Sequence, residues 1–232
     1  MIRLIKPLLV IAALGTTSGA MAADAAHPTV VELFQSQGCS SCPPANANLT
    51  GIASRPDILA LSFSVTYWDQ LGWKDTFAQP IFTARQWDYA HALGHADVFT
   101  PQVVVNGSRD GVGANPLEMS ALVRAGDRGD GGPALRVSSG KAVIGRGVAP
   151  RGGAEIWLVR YDPRILQVPI GRGENAGRTL PHRDVVRELR RLGRWNGAGA
   201  SIAYAPPADP AWKTAVLVQQ GRGGPILAAA RD

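Results

Sequence analysis

The sequence predicts an α/β domain at residues 27–127, followed by a β-rich, sandwich-like domain at residues 133–232. Hydrophobic residues make up 45% of the chain and charged residues 18%, which is typical of a folded globular protein. The first segment mixes strand-like and helix-like patterns, whereas the second has short apolar runs between glycines and prolines. Between them, residues 126–133 (GDRGDGGP) have the composition of a linker.

Residues 1–22 have the pattern of a signal peptide. Arg3 and Lys6 precede an apolar run at residues 8–14, and Ala20-Met21-Ala22 fits the small-x-small cleavage rule. The apolar run is too short for a transmembrane helix, so we expect no integral membrane segment in the mature chain. We therefore expect a periplasmic or secreted protein, cleaved near Ala22. The alternative is an ordinary buried N-terminal helix.

The first domain is predicted to alternate strands and helices. Apolar, β-branched runs at residues 27–34 and 58–66 predict two buried strands. A third strand is predicted at residues 98–105, interrupted by Thr100-Pro101, and Asn106-Gly107 predicts a hairpin turn after it. Helices are predicted at residues 44–53, 83–93 and 115–123, the last with Asn115 as its N-cap.

An aromatic-rich stretch at residues 67–92 separates the second and third predicted strands. It contains Trp68, Trp73 and Trp87. Clustered aromatic side chains usually belong to a core, which we favour here, with an exposed fringe. A lid or a substrate surface is the alternative.

The second domain is predicted to consist of short strands. Their predicted positions are residues 134–137, 142–144, 155–161, 165–170, 201–204, 215–219 and 226–229. Residues 184–195 fit both helical and strand spacing, and a strand is favoured. The polar set Glu174, Asn175 and Arg178 lies in a Gly-rich turn, where it would form a local network or bind a ligand at the domain edge.

The two cysteines form a Cys39-Ser40-Ser41-Cys42 motif. A single pair excludes a disulfide-dense scaffold and a Cys₄ zinc site. A bridge across two residues closes a very small loop and removes little entropy from the unfolded chain, so the spacing favours chemistry over structural cross-linking. The start of a helix stabilises a thiolate. Cys39 is therefore predicted to attack a substrate, and Cys42 to resolve the mixed disulfide.

Thr100-Pro101 is the second predicted part of the site. Proline cannot donate a hydrogen bond to a strand ladder, so its place inside an apolar run needs an explanation. A cis-proline loop beside the cysteines would supply one, because the backbone of Thr100 would then be free to pair with an extended substrate. The alternative is an edge-strand proline without a function.

These motifs carry a resemblance. Residues 30–107 resemble a thioredoxin-like domain. The segments VELFQSQGCSSCPPA and TPQVVVNG more closely resemble a family of bacterial secreted proteins of unassigned function, DUF1223, over nearly the whole mature chain, including residues 171–178. The thioredoxin-like resemblance implies that Glu32 is a buried acid beneath the cysteines that relays a proton from the resolving thiol. An exposed strand glutamate is the alternative.

The motif predicts a thiol–disulfide oxidoreductase that acts on protein or small thiol/disulfide substrates and needs no cofactor beyond its cysteine pair. Two alternatives stay open. The pair could bind or deliver copper, since Cu(I) favours thiolates, or it could be an inert disulfide in a binding module, which requires a buried Cys39. His91 and His95 have the spacing of metal ligands, but a solvated pair is favoured and no metal site is predicted. Because an exported protein is expected, no nucleic-acid partner is predicted, and the arginines at residues 183–194 are interpreted as a solvated face.

Overall fold

The computed structural model describes residues 22–138 and 140–232. The predicted signal peptide therefore lies outside the described residues, apart from Ala22. In the described part, no helix is both long enough and apolar enough to cross a membrane.

The described residues form three α-helices and thirteen strands. The helices are α1 (Cys42–Ile52), α2 (Pro80–Leu93) and α3 (Pro116–Ala125), and a short 3₁₀ helix spans Asp69–Leu71. The strands of the first half are β1 (Thr29–Gln35), β2 (Ile58–Ser64), β3 (Gln102–Val105) and β4 (Arg109–Gly111). Those of the second half are β5 (Leu135–Ser138), β6 (Lys141–Ile144), β7 (Ala154–Asp162), β8 (Leu166–Pro169), β9 (Thr179–His182), β10 (Val185–Trp195), β11 (Ala200–Ala203), β12 (Lys213–Gln220) and β13 (Ile226–Arg231).

One large mixed sheet dominates the fold. Its eight strands have the order β13-β12-β7-β10-β2-β1-β3-β4. In its first half, β1 pairs in parallel with β2 and antiparallel with β3. The second half joins at β2, where Val185 of β10 pairs with Ser62 and the Ser62 N–H donates to the Asp184 carbonyl at 2.9 Å. Strands from both halves of the chain therefore share one sheet.

The two faces of this sheet are covered differently. On one face, α2 packs on a core that runs from Val30 in β1 to Ala229 in β13. On the opposite face, α1 and α3 cover the first half through Val31, Leu33 and their neighbours. On the same face as α1 and α3, the three-stranded sheet β11-β6-β5 covers the second half of the large sheet at β7, β12 and β13. The β8-β9 hairpin pairs only with itself and packs through a small separate core.

The mixed α/β class predicted from the sequence is confirmed, with differences in detail. The second half does not form a self-contained sandwich, because four of its strands extend the sheet of the first half. The third strand begins at Gln102 and not at residue 98, since Pro101 has no N–H for the ladder. Residues 185–195 form a strand, as favoured. Strand β9 was not predicted, because Pro181 interrupts its short apolar pattern.

Candidate functional site

Cys39 and Cys42 form a disulfide at the start of α1. Their Cα atoms lie 5.5 Å apart, and the Cys42 N–H donates to the Cys39 carbonyl at 3.3 Å. Ser41 is the N-cap residue of α1, and its Oγ lies 3.3 Å from Cys39 Sγ. Both cysteines are fully buried. The sequence placed this pair correctly at a helix start but did not indicate what covers it.

The Thr100-Pro101 loop lies beside the cysteine motif. Its peptide bond is cis. The Ser41 hydroxyl donates to the Thr100 carbonyl at 3.5 Å, and the Trp68 indole N–H donates to Thr100 Oγ1 at 2.7 Å. The structure therefore brings together the cysteine motif and the Thr100-Pro101 loop, although Thr100 lies 59 positions after Ser41 in the sequence.

Glu32 is not brought to the cysteines. Its side chain is fully buried, but it lies on the α2 face of β1, whereas α1 packs on the opposite face. Both of its carboxylate oxygens accept hydrogen bonds from Arg85, at 2.7 and 3.1 Å, and one also accepts the Tyr89 hydroxyl. The resemblance implied that Glu32 is a buried acid beneath the cysteines. This expectation is wrong, because strand side chains alternate and Glu32 lies on the face opposite α1.

Asp75 is the buried acid that lies next to the motif. Its Oδ2 accepts the Gln37 N–H at 2.7 Å, and its Oδ1 accepts the Phe77 N–H at 2.8 Å. Burial raises the pKa of Asp75 to about 6. The Trp73 indole N–H donates to Gln37 Oε1 at 2.9 Å in the same cluster. Asp75 is one of three aspartates in the aromatic-rich segment, so no local pattern distinguished it, and sequence reasoning missed it.

The turn Glu174-Asn175 covers the cysteine motif. Asn175 is fully buried, and its Nδ2 donates to the carbonyls of Gln37 and Cys39, both at 2.9 Å. Glu174 Oε2 accepts the Ser40 N–H at 3.0 Å and the Ser40 hydroxyl at 2.7 Å. These hydrogen bonds hold the pKa of Glu174 below its ordinary value. The sequence predicted a polar network here, but not that it lies over the cysteines.

Within the described residues, no His, Asp or Glu joins the cysteine pair as a third metal ligand. The described residues contain no group of three or more His, Cys, Asp or Glu side chains arranged to hold a metal ion. His95 Nε2 instead lies 2.8 Å from Asp110 Oδ2, and the His91 ring packs beside Trp87. The two histidines thus have separate contacts and do not form a pair of ligands.

The family comparison matches residues 30–219 to a family described as a protein of unknown function, DUF1223. The chain belongs to the DUF1223 family. The matched residues include the cysteine motif, the Thr100-Pro101 loop and the Glu174-Asn175 turn, so the whole site lies within the DUF1223 region.

Two solved structures are similar to this DUF1223 chain. The crystal structure of protein AGR_C_4864 from Agrobacterium tumefaciens is 29% identical, with a TM-score of 0.71 over 90% of this chain and 94% of that chain. HBP35 of Porphyromonas gingivalis is 12% identical, with a TM-score of 0.56 over 89% of this chain and 74% of that chain, which is a likeness of fold alone. No protein of curated function matches the chain.

Proposed function

We propose that this DUF1223 protein is an exported thiol–disulfide oxidoreductase, with a thioredoxin-like first half and the redox pair Cys39–Cys42. The carrying observation is the disulfide at the start of α1 beside the Thr100 backbone. The strand order β2-β1-β3-β4, with α1 and α3 on one face and α2 on the other, supports the thioredoxin-like assignment. Export rests on the basic, apolar and small residues of the N-terminal segment.

The proposed chemistry is a reversible transfer of two electrons between a dithiol and a disulfide. In the oxidising direction, a substrate thiolate attacks the Cys39–Cys42 bond, a mixed disulfide with Cys39 forms, and Cys42 leaves as a thiolate. A second substrate thiolate then displaces Cys39, so the substrate becomes a disulfide and the protein a dithiol. In the reverse direction Cys39 attacks and Cys42 resolves. The backbone of Thr100 is the proposed contact for an extended substrate.

The burial of both cysteines favours a second candidate, a binding module with an inert disulfide. The two functions differ in redox behaviour, because structural disulfides resist reduction by the glutathione pool.

Equilibration of the full chain with graded mixtures of reduced and oxidised glutathione separates the two candidates. After an acid quench and thiol alkylation, mass spectrometry measures the fraction of reduced Cys39–Cys42. We expect this fraction to rise smoothly with the proportion of reduced glutathione. A pair that stays oxidised across the whole series would favour the inert disulfide. The Cys39→Ser/Cys42→Ser variant reports the background of alkylation.

A further inference from the structure

The backbone at Cys39 is bound by a turn that comes from the far half of the chain. Glu174 lies 134 positions after Ser40 in the sequence, and the turn belongs to the loop between β8 and β9. A reagent that attacks Cys39 needs access to its sulfur, but the sulfur-bearing side chain has no exposed surface in this arrangement. Any exchange at Cys39 therefore requires a movement that uncovers its sulfur, and this turn binds the backbone on both sides of that sulfur, at the Cys39 carbonyl and the Ser40 N–H.

The contacts of the turn have the donor and acceptor pattern of a peptide backbone. The two N–H groups of the Asn175 amide donate to the carbonyls of Gln37 and Cys39, which two separate backbone N–H groups of a polypeptide would do. A carboxylate oxygen of Glu174 accepts the Ser40 N–H, as a backbone carbonyl would. The turn thus satisfies backbone groups of the motif that an extended polypeptide would satisfy equally well.

The loop is attached in a way that permits movement. The β8-β9 hairpin that carries it has no strand partner in the large sheet. A cavity of 330 Å³ separates part of the hairpin from α1, and Pro43, Ala47, Ile165 and Leu180 are among its lining residues. Within the loop, Gly173 has a φ of +77° and a Cβ there would lie 3.2 Å from Trp73, so the closed form depends on a glycine.

Resting on the proposed function, we propose that the backbone groups of Gln37, Cys39 and Ser40 form a substrate-binding edge in addition to Thr100, that the Glu174-Asn175 turn is its internal occupant, and that an extended polypeptide displaces the turn. The polypeptide replaces the hydrogen bonds to Gln37, Cys39 and Ser40, and its own thiol or disulfide then reaches Cys39. A small thiol offers no such replacement and reacts only during spontaneous opening of the loop. Polypeptide substrates are thereby favoured over small thiols.

The Asn175→Asp variant tests the occupant at nearly constant size. A carboxylate in place of the amide removes both N–H donors and directs oxygen at the carbonyls of Gln37 and Cys39, while the oxygen that accepts from Arg178 at 2.7 Å is retained. Asn196→Asp is the matched control, because Asn196 is exposed and uses only its side-chain oxygen, as acceptor for the Ala198 N–H.

The measurement is the rate at which the oxidised protein is reduced by two dithiols, dithiothreitol and an unfolded polypeptide that carries two reduced cysteines. Each reductant forms a mixed disulfide with Cys39, expels Cys42 as a thiolate and ends as a disulfide. We expect Asn175→Asp to raise the rate of reduction by dithiothreitol about tenfold or more, since the fraction of molecules with an open loop limits this reaction. The rate of reduction by the polypeptide should rise much less. Glu174→Gln should also raise both reduction rates, by a smaller factor than Asn175→Asp.

Three outcomes contradict parts of this scheme. If the rate of reduction by dithiothreitol is unchanged in Asn175→Asp and its glutathione equilibrium equals that of the wild type, the turn does not occupy the substrate-binding edge. The proposed function is then unaffected. Equal acceleration of both reductants overturns the occupant as well, because the turn would then only shield the sulfur. A pair that stays oxidised in glutathione even in Asn175→Asp overturns the proposed function itself. Circular dichroism of each variant confirms that the fold is retained.

Discussion

Ser41 gives the two cysteines different surroundings. Its hydroxyl lies 3.3 Å from Cys39 Sγ and also reaches the Thr100 carbonyl, at 3.5 Å. In the reduced protein the single hydroxyl hydrogen can turn from the Thr100 carbonyl to a Cys39 thiolate, which would favour the charged form of that sulfur. Cys42 is the first residue of α1 and is fully buried, and its thiol is placed to resolve a mixed disulfide at Cys39.

This asymmetry predicts different trapping by the two single variants. Cys42→Ser lacks the resolving thiol, so we expect mixed disulfides between Cys39 and substrate proteins to accumulate. Cys39→Ser should accumulate far fewer. Non-reducing electrophoresis of the variants after exposure to oxidised, unfolded proteins measures the difference. Equal trapping, or a reversal of the order, would contradict the assignment of Cys39 as the attacking residue.

The local parts of the site could be predicted from the sequence, and the distant parts could not. Cys39, Cys42 and Pro101 carry a motif or break a strand pattern, so short-range reasoning finds them. Asp75 reaches Gln37 across 38 residues, and Asn175 reaches it across 138, so no spacing rule connects them. The face of Glu32 depended on the strand register, in which a one-residue difference exchanges the two sides of the sheet.

The β8-β9 hairpin carries the covering turn and is held by a small core. The core contains Val168, Ile170 and Leu180, with Trp73 and Phe77 packed against it. His182 of β9 is fully buried with its ring edge-on to Phe77 at 5.9 Å, and neither of its nitrogens has a hydrogen-bond partner among the described residues. Burial lowers the pKa of His182 to about 4.

The buried histidine predicts a loss of stability in acid. The folded pKa of His182 lies below the ordinary value of about 6.5, so the unfolded chain binds the proton more readily. The free energy of unfolding should therefore fall as the pH drops from about 6.5 to about 4, by up to roughly 3 kcal/mol. His182→Leu should remove this dependence and keep the stability at pH 7, because no hydrogen bond of the described residues is lost.

Urea unfolding at a series of pH values measures this effect as the difference between the wild type and His182→Leu. The comparison with the variant is needed because two buried acids change the free energy of unfolding with pH in the direction opposite to His182. Burial raises the pKa of Asp75 to about 6 and that of Asp184 to about 7, so both favour the folded state more as the pH falls. A difference that does not change between pH 7 and pH 4 would contradict the role of His182.

At the scale of elements, the regular parts of the fold were predictable. Helix α3 begins as expected, with Asn115 Oδ1 accepting the N–H groups of Leu117 and Glu118. The hairpin after Val105 follows from Asn106-Gly107, both of which have positive φ. What the sequence did not reveal is that β10 lies beside β2, because a pairing between strands more than a hundred residues apart leaves no local pattern.

The whole molecule is joined across its two halves by a buried polar network. Arg85 of α2 donates to both oxygens of Glu32 in β1, and its Nη1 donates to Gln219 Oε1 of β12 at 3.1 Å. Gln219 Nε2 in turn donates to the Tyr89 hydroxyl at 3.0 Å. Together with the apolar core that crosses the sheet, this network couples the predicted domains at residues 27–127 and 133–232. The boundary between these domains, at the linker of residues 126–133, stays a prediction. Because the network couples the two halves, we expect a single unfolding transition.

Arg85→Met tests this coupling. Removal of the guanidinium leaves the Glu32 carboxylate buried without its cation, so we expect a loss of about 3–5 kcal/mol in the free energy of unfolding. The double variant Glu32→Leu/Arg85→Met removes both charges and should recover most of that loss. Arg55→Met breaks the exposed pair with Asp57 and serves as the matched control, with an expected effect below about 1 kcal/mol.

Urea unfolding followed by tryptophan fluorescence and by far-ultraviolet circular dichroism reports on the two halves together. Because the network contacts β1, α2 and β12 at once, Arg85→Met should shift the midpoint of both signals equally. If one signal moved and the other kept its midpoint, the halves would unfold separately and the network would stabilise only one of them. The half that contains the Glu174-Asn175 turn would then be stable independently of the half that contains Cys39. Urea concentrations between the two midpoints would unfold one half while the other remained folded.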